Sequence, residues 1–341
     1  MSTPKRTTRS ATLACVDNLY TFDLPEDLIA QVPANPRDYA RLLVYDRATK
    51  AITDDNFYNL CNYLPKNTLV VANNTKVSHC RYLFHNGKTE LFVVEAVNDK
   101  TVRAMIRPGK KFKLGESTVL DTGLVVTTTH IDDDGIRTLQ FNLPRDDERL
   151  VRASHVPLPP YIAQDDGLAA EYQTIYARSE GSLAAPTAGL HFTPELKQKV
   201  VSEFGWDEVT LEVGLGTFAS LSEKNFKTGA LHAEKYEISD VVAQNIVDAT
   251  HITAVGTTTL RTLESFTRTG KQADETSIFI RPGYEFKRVD SLITNFHLPS
   301  TSLLLLVEAF LGSRAELEMI YIHAIKEKYR FYSFGDAMFV I

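Results

Sequence analysis

Beyond Tyr161 the chain alternates short β-branched runs with helix-length amphipathic segments, and this alternation restricts the fold more than any other feature. VTLEV (209–213), ITAVGT (252–257), SIFI (277–280) and LIT (292–294) read as strands, and 193–204, 239–249, 258–269 and 301–311 read as helices. Strands interleaved with helices imply a mixed sheet covered by helices. The helix starts are chemically specified. Thr193 can cap the amides of the next turn, Pro194 suits the first helical position, and Glu195 favours the positive helix end. Leu196, Val200 and Phe204 then share one face before Gly205 supplies a stop. Ser239 can cap the second helix, with Val242, Ile246 and Ala249 inward. Ser300 or Thr301 can cap the last, which is apolar nearly all round and belongs in the core.

The first half is less regular. TFDLPEDLIAQ (21–31) reads as a short helix opened by Pro25, and an Asn-Pro turn feeds a strand, Arg41 to Tyr45. Phe57, Leu60, Cys61 and Leu64 form an amphipathic helix behind Asp55 as a cap, ended by Pro65, and Leu69 to Ala72 is a buried strand. From 79 to 143 the helical period disappears. Leu91–Val94, Val102–Ile106, Leu124–Thr129 and Arg137–Phe141 are β-branched runs between Asn-Gly, Pro-Gly and Asp-Gly turn signals. The expected architecture is an α/β mixed-sheet main domain, 19–78 and 144–341, with a small all-β, barrel-like domain inserted at 79–143. Pro144 to Arg152 reads as a connector, and VPLPPYI (156–162) is held extended by its prolines.

Composition excludes several classes. A formal net charge of −6 means that a nucleic-acid partner must be met by a local basic patch. Arg103, Arg107, Lys110, Lys111 and Lys113 supply one, free of acids along the sequence, although a solvated strand edge has the same composition. Cys15, Cys61 and Cys80 form no CxxC, and the nine histidines show no HxxxH or HExxH, so neither a disulfide framework nor a metal is expected. The longest apolar run, Leu303 to Leu311, contains Glu308 and is too short for a membrane span. Residues 1–12 are polar and basic; a transit peptide shares that composition, but a disordered leader over 1–18 is expected. A cytoplasmic monomer with no membrane attachment is the expectation.

Polar residues gather on the predicted loops. In AAPTAGLHFTPEL (184–196) a turn with Thr187 and Gly189 places His191 just upstream of a helix start, where backbone amides can meet an anion. A buried structural histidine fits the same position. LEVGLGTF (211–218) brings Gly214, Gly216 and Thr217 after a strand, loosely like the glycine loop of methyltransferases, with Phe218 in place of a third glycine. AVGTTTLRTLES (254–265) offers Thr257 at a strand-to-helix turn, and Arg261 and Glu264 share a helix face. Asn295 and His297 precede the last helix, YQTIYA (172–177) offers Tyr172, Gln173 and Tyr176 to a flat base, and Asp336 follows Gly335 in a turn.

Together FDLPEDLIAQ, RLLVYDR, VPLPPYI, YQTIYA, AAPTAGLHFTPEL, EVGLGTF, VGTTTLRTLES, the run IFIRPGYEFKRVDSLITNFHLPSTSLLLLVEAF and YRFYSFGDAM closely resemble the S-adenosylmethionine:tRNA ribosyltransferase-isomerase family of queuosine biosynthesis. The resemblance runs from about Phe22 to the C-terminus. It departs at ANNTKV (72–77), where Asn74 and Lys76 replace an acid and an arginine, and near Ser154-His155, where a family glycine is missing.

The resemblance implies transfer and isomerisation of the ribosyl moiety of S-adenosylmethionine, a co-substrate and not a bound cofactor. The implied acceptor is 7-aminomethyl-7-deazaguanine at the tRNA wobble position, and the products are epoxyqueuosine-tRNA, adenine and methionine. Such chemistry needs a base beside the sulfonium, a proton for departing adenine and a neutral amine; no metal is required. The expected roles are His191 as principal acid/base, with Asp336, Glu264 and His297 as further candidates. Thr187, Gly189, Gly214, Gly216, Thr217, Thr257, Arg261 and Asn295 would hold the donor, and Tyr172, Gln173 and Tyr176 the base. A class I methyltransferase and a non-catalytic tRNA-binding protein are the rival readings.

Overall fold

The runs at Arg41–Tyr45 and Thr68–Asn73 are buried on alternate sides, and this sets the layering. A computed structural model describes residues 22–163, 165–217, 221–299 and 301–341, so the expected leader (1–18) and the Ser300 cap lie outside the described residues. Nine strands form one mixed sheet in the order 273–278, 230–237, 206–211, 68–73, 251–255, 291–295, 337–340, 41–45 and 52–56. The four from 206–211 to 291–295 run parallel, and 337–340 runs antiparallel to 291–295. Leu43, Tyr45, Val71 and Ile252 point into one core with Leu260, Leu263 and Leu304. Leu42, Val44, Val70 and Ile293 point into another with Leu196, Val200 and Phe57. A sheet buried on both faces explains why its strands read as unbroken apolar runs.

Capping chemistry set the helix boundaries closely. Pro194–Glu203 starts at Thr193, whose side chain accepts from Leu196 N, and Asp240–Asp248 starts at Ser239. Thr257–Thr269 follows Gly256, and Ser302–Leu311 follows Thr301, whose side chain accepts from Leu304 N. Other expectations need correction. The helix expected at 21–31 is only a 3-10 turn, Glu26–Leu28, and the pattern around Leu60 is a 3-10 helix, Phe57–Asn62. Asp55 lies within the strand Ile52–Asn56 and does not cap the turn, and its carboxylate accepts from Asn59 and Tyr63. The expected connector contains the helix Glu148–Ala153, capped by Asp147. The helix Arg314–Lys326 and the strands Ala230–Glu237 and Ala337–Val340 have no counterpart in the sequence reading.

Residues 81–141 form antiparallel strands of a seven-stranded sheet whose edge strand is Ser154–His155. Its inner face packs Phe84, Leu91, Val102, Phe112, Val126 and Leu139 together. Among the described residues, no helix is long and apolar enough to cross a membrane, and no cluster of three or more His, Cys, Asp or Glu could hold a metal ion.

Candidate active site

The loops leaving the carboxyl ends of 206–211, 251–255 and 291–295 meet around a cavity of about 530 Å³. This is the end of a parallel sheet where open α/β folds take ligands, and the volume suits a small molecule. Tyr332 and Ser333 join from the segment before 337–340, because that strand runs antiparallel to its neighbour. Tyr332 holds φ at +72°, a costly conformation for a bulky residue and one that clusters at functional sites.

Three helix starts face this space: Thr187, Thr257 with Thr258, and Thr301 with Ser302. Gly256, at φ +89°, leads into its helix with no side-chain cap. Helix-start amides free of side-chain caps are suited to anionic or polar ligand groups. The Asn73 amide donates to Thr258 Oγ1 at 3.2 Å and to the Leu211 carbonyl at 3.1 Å, tying this helix start to the neighbouring strand.

Asn295, His297, Thr187, Thr257, Arg261, Gly216 and Tyr172 all line the cavity, so seven residues expected from scattered motifs converge there. Thr294 Oγ1 lies 2.8 Å from His297 Nε2, and the Tyr321 hydroxyl accepts from the His297 backbone amide. Burial lowers the His297 pKa to about 4, so its ring is neutral at physiological pH. At Gly216 an added Cβ would come 2.8 Å from His232 Cβ, so the loop passes too close for a side chain. The Thr217 hydroxyl lies outside the described atoms.

His191 is not part of the cavity wall. It is 4% exposed, 5.0 Å from the Phe57 ring, and its Nε2 sits 3.3 Å from Asn295 Nδ2. Burial, reinforced by the Arg330 and Arg37 charges, lowers its pKa to about 3. The amide also donates to the Tyr332 carbonyl at 3.2 Å, which fixes its orientation and makes His191 Nε2 the acceptor. Asn295 Oδ1 is left buried without a partner.

The carboxylates expected as bases are consumed by structure. Glu264 accepts from Lys287 N, Arg288 N, Val289 N and the Tyr284 hydroxyl, holding the 284–289 loop. Asp336 accepts from Arg41 N and Arg330 N and pairs with the Arg330 guanidinium at 3.1 Å. Neither lines the cavity. Arg261 pairs with Glu234 of the strand 230–237 and not with Glu264 as its spacing suggested. Glu234 Oε1 in turn accepts from Gly214 N at 3.0 Å.

Of the aromatic motif, only Tyr172 reaches the cavity. Gln173 bonds both backbone groups of Val77, at 3.0 and 2.9 Å. Tyr176 packs against Phe192 and Trp206, and a Cβ at Gly189 would come 2.0 Å from its hydroxyl. Gly189 therefore serves packing. The departures at 74 and 76 also lie off the cavity: Lys76 pairs with Glu180, and Asn74 contacts Thr210 at 2.8 Å.

The basic run is divided. Arg103 is paired with Glu95 and Asp132, Arg107 with Glu90, and Lys113 with Glu116. Glu90 and Glu95 sit on the neighbouring strand Thr89–Ala96, Asp132 just after the strand Val125–Ile131, and Glu116 just downstream of the run. Lys110 and Lys111 are exposed on the turn Gly109–Lys111. Sequence reasoning also missed Tyr161, Tyr332, Ser333, His232 and Glu234 of the cavity wall. The tyrosine rings 161 and 332 lie 4.8 Å apart, and Tyr161 Oη is 2.6 Å from Ser333 Oγ.

Residues 17–340 match the family model described as queuosine biosynthesis protein. An S-adenosylmethionine:tRNA ribosyltransferase-isomerase of Thermotoga petrophila is 41% identical over 334 residues, covering 94% of this chain and 98% of its own. One from Fusobacterium nucleatum is 42% identical over 337 residues, covering 94% and 95%. The crystal structure of an S-adenosylmethionine tRNA ribosyltransferase from Thermotoga maritima aligns with a TM-score of 0.54 at 34% identity, covering 94% of this chain and 99% of that one.

Proposed function

The chain belongs to the queuosine biosynthesis family and is an S-adenosylmethionine:tRNA ribosyltransferase-isomerase, and from that premise we propose that the cavity beneath the three helix starts carries the reaction. The enzyme joins the ribosyl carbons of S-adenosylmethionine to the aminomethyl nitrogen of 7-aminomethyl-7-deazaguanine at the tRNA wobble position. Epoxyqueuosine-tRNA, adenine and methionine are the products. The methyltransferase alternative is not favoured, because relatives matching nearly the whole chain carry the ribosyl-transfer name.

The observation that carries the reading is the convergence of Asn295, His297, Thr187 and Thr257 on one enclosed space at the strand ends. His297 is our candidate for the proton transfer. Burial weakens its ring as a base, and the adjacent sulfonium offsets this by acidifying the ribose CH₂ whose proton the ring would take. The helix-start amides and hydroxyls at Thr187 and Thr257 suit the polar edges of the donor. Tyr161, Tyr172 and Tyr332 offer aromatic walls to a flat base. His191 acts through Asn295 as a positioning residue, and its ring stays neutral throughout.

Lys110 and Lys111 are the remaining candidates for phosphate contact. We read 79–143 as a unit inserted between 19–78 and 144–341, acting on tRNA as part of a cytoplasmic monomer. The reaction as written needs no metal. Replacing His297 with Gln tests the site: turnover should fall about a hundredfold or more while S-adenosylmethionine still binds. Near-normal turnover in a folded His297→Gln enzyme would remove the histidine from the chemistry.

A further inference from the structure

Arg261 and Glu234 form a buried pair whose free side has no structural purpose within the described residues. Arg261 is 7% and Glu234 4% exposed, and both line the cavity. Arg261 Nη1 donates to Glu234 Oε2, and Glu234 Oε1 is held by Gly214 N. The guanidinium is therefore fixed from one corner. Its other edge, Nε with Nη2, is buried without a hydrogen-bond partner. Those two N–H groups point the same way at a spacing that matches two coplanar oxygens. Buried donors left without acceptors are costly, so such an edge on a residue of the cavity wall is suited to a ligand that brings the acceptors.

We infer that the Nε–Nη2 edge of Arg261 takes the α-carboxylate of the methionine moiety of S-adenosylmethionine, and that Glu234 is the positioning residue that aims it. The inference rests on placing the donor in this cavity. A carboxylate is the better match than a tRNA phosphate. A backbone phosphate carries chain on both sides, whereas a guanidinium more than nine-tenths buried suits a terminal group on a flexible arm. The Arg261–Glu234 pair is neutral overall, and the incoming carboxylate arrives with its own ammonium and sulfonium. The same fork would hold the methionine product until it leaves.

The test compares S-adenosylmethionine with its decarboxylated analogue in the full-length wild-type enzyme and in Arg261→Lys. Wild type should bind the decarboxylated donor tenfold to a hundredfold more weakly, as expected for loss of a bidentate charge-assisted contact. Arg261→Lys should lose that discrimination: its KM rises for S-adenosylmethionine and stays level for the analogue. Glu234→Gln should shrink the discrimination in the same direction. Equal weakening of both donors in Arg261→Lys, or no discrimination by wild type, overturns the inference. A second arm needs no variant and so does not depend on folding. Free methionine should compete with the donor, and methioninol, which lacks the carboxylate, should compete at least tenfold less well; equal inhibition counts against the fork. Adenine release by wild type in the same reactions scores ribosyl transfer separately, so its absence would sink the functional reading and not the fork alone.

Discussion

Asn295 Nδ2 stands between two acceptors, 3.3 Å from His191 Nε2 and 3.2 Å from the Tyr332 carbonyl, and its Oδ1 is buried without a partner in a residue of the cavity wall. His191 thereby shapes the site without entering it. His191→Ala removes one of the two acceptors that orient the amide, and kcat should fall about tenfold or more, a loss on the scale of one hydrogen bond at a preorganised site. If the ring takes no proton in the cycle, the pH–rate profile should keep its wild-type shape. Loss of an ionisation from the profile would return His191 to the role of acid or base.

Buried His191 and half-buried His297 also set a pH dependence of stability. Their folded pKa values, about 3 for His191 and about 4 for His297, lie below the ordinary value near 6.5. Between those limits the unfolded chain binds protons that the folded chain does not, so their contribution is present above about pH 6.5 and is lost as pH falls. Each should add a slope approaching about 1.4 kcal/mol per pH unit between pH 6 and 4.5. Chemical denaturation across that range should be measurably flatter in His191→Gln than in wild type. Parallel slopes would show that the ring protonates freely in the folded state.

Glu264 anchors the 284–289 loop. Its carboxylate accepts from three consecutive backbone amides and from Tyr284. Glu264→Gln should cost about 2–4 kcal/mol, because an amide NH₂ would face donors in a buried site. The folded fraction should retain kcat within a few fold. A variant of unchanged thermal stability but hundredfold lower kcat would make Glu264 a base.

Charge pairing sorts the basic run. Lys110→Ala with Lys111→Ala should weaken tRNA binding and reduce the salt dependence of log Kd by roughly 1–2. Arg103→Ala should change that slope little, because two carboxylates already neutralise the guanidinium. The opposite ranking in a salt titration would place the contact surface on the strand.

Caps and periodicity made the frame legible. Thr193-Pro194 and Ser239 mark helix starts because the capping bond is local, and the apolar runs at 41–45 and 69–72 mark central strands because both faces are buried. What the sequence hid was long-range. The strand Ala230–Glu237 alternates exposed and buried residues only over part of its length, so Glu234, the partner of Arg261, could not be found from helical spacing. Asp336 follows a glycine turn and Glu264 shares a helix face with Arg261, placements that suggest chemistry, yet backbone amides of Arg41, Arg330 and the 287–289 segment use their lone pairs. Carboxylates brought in by the fold pair with Arg103 and Arg107 of a run that is purely basic in one dimension.

Product analysis tests the central claim most directly. The purified enzyme is incubated with S-adenosylmethionine and tRNA bearing 7-aminomethyl-7-deazaguanine, and small molecules and digested nucleosides are resolved by mass spectrometry. Adenine and methionine should appear in equal amounts, each matched by one heavier, ribosyl-derived wobble nucleoside. S-adenosylhomocysteine with a methylated nucleoside, or tRNA binding with no consumption of the donor, would contradict the account.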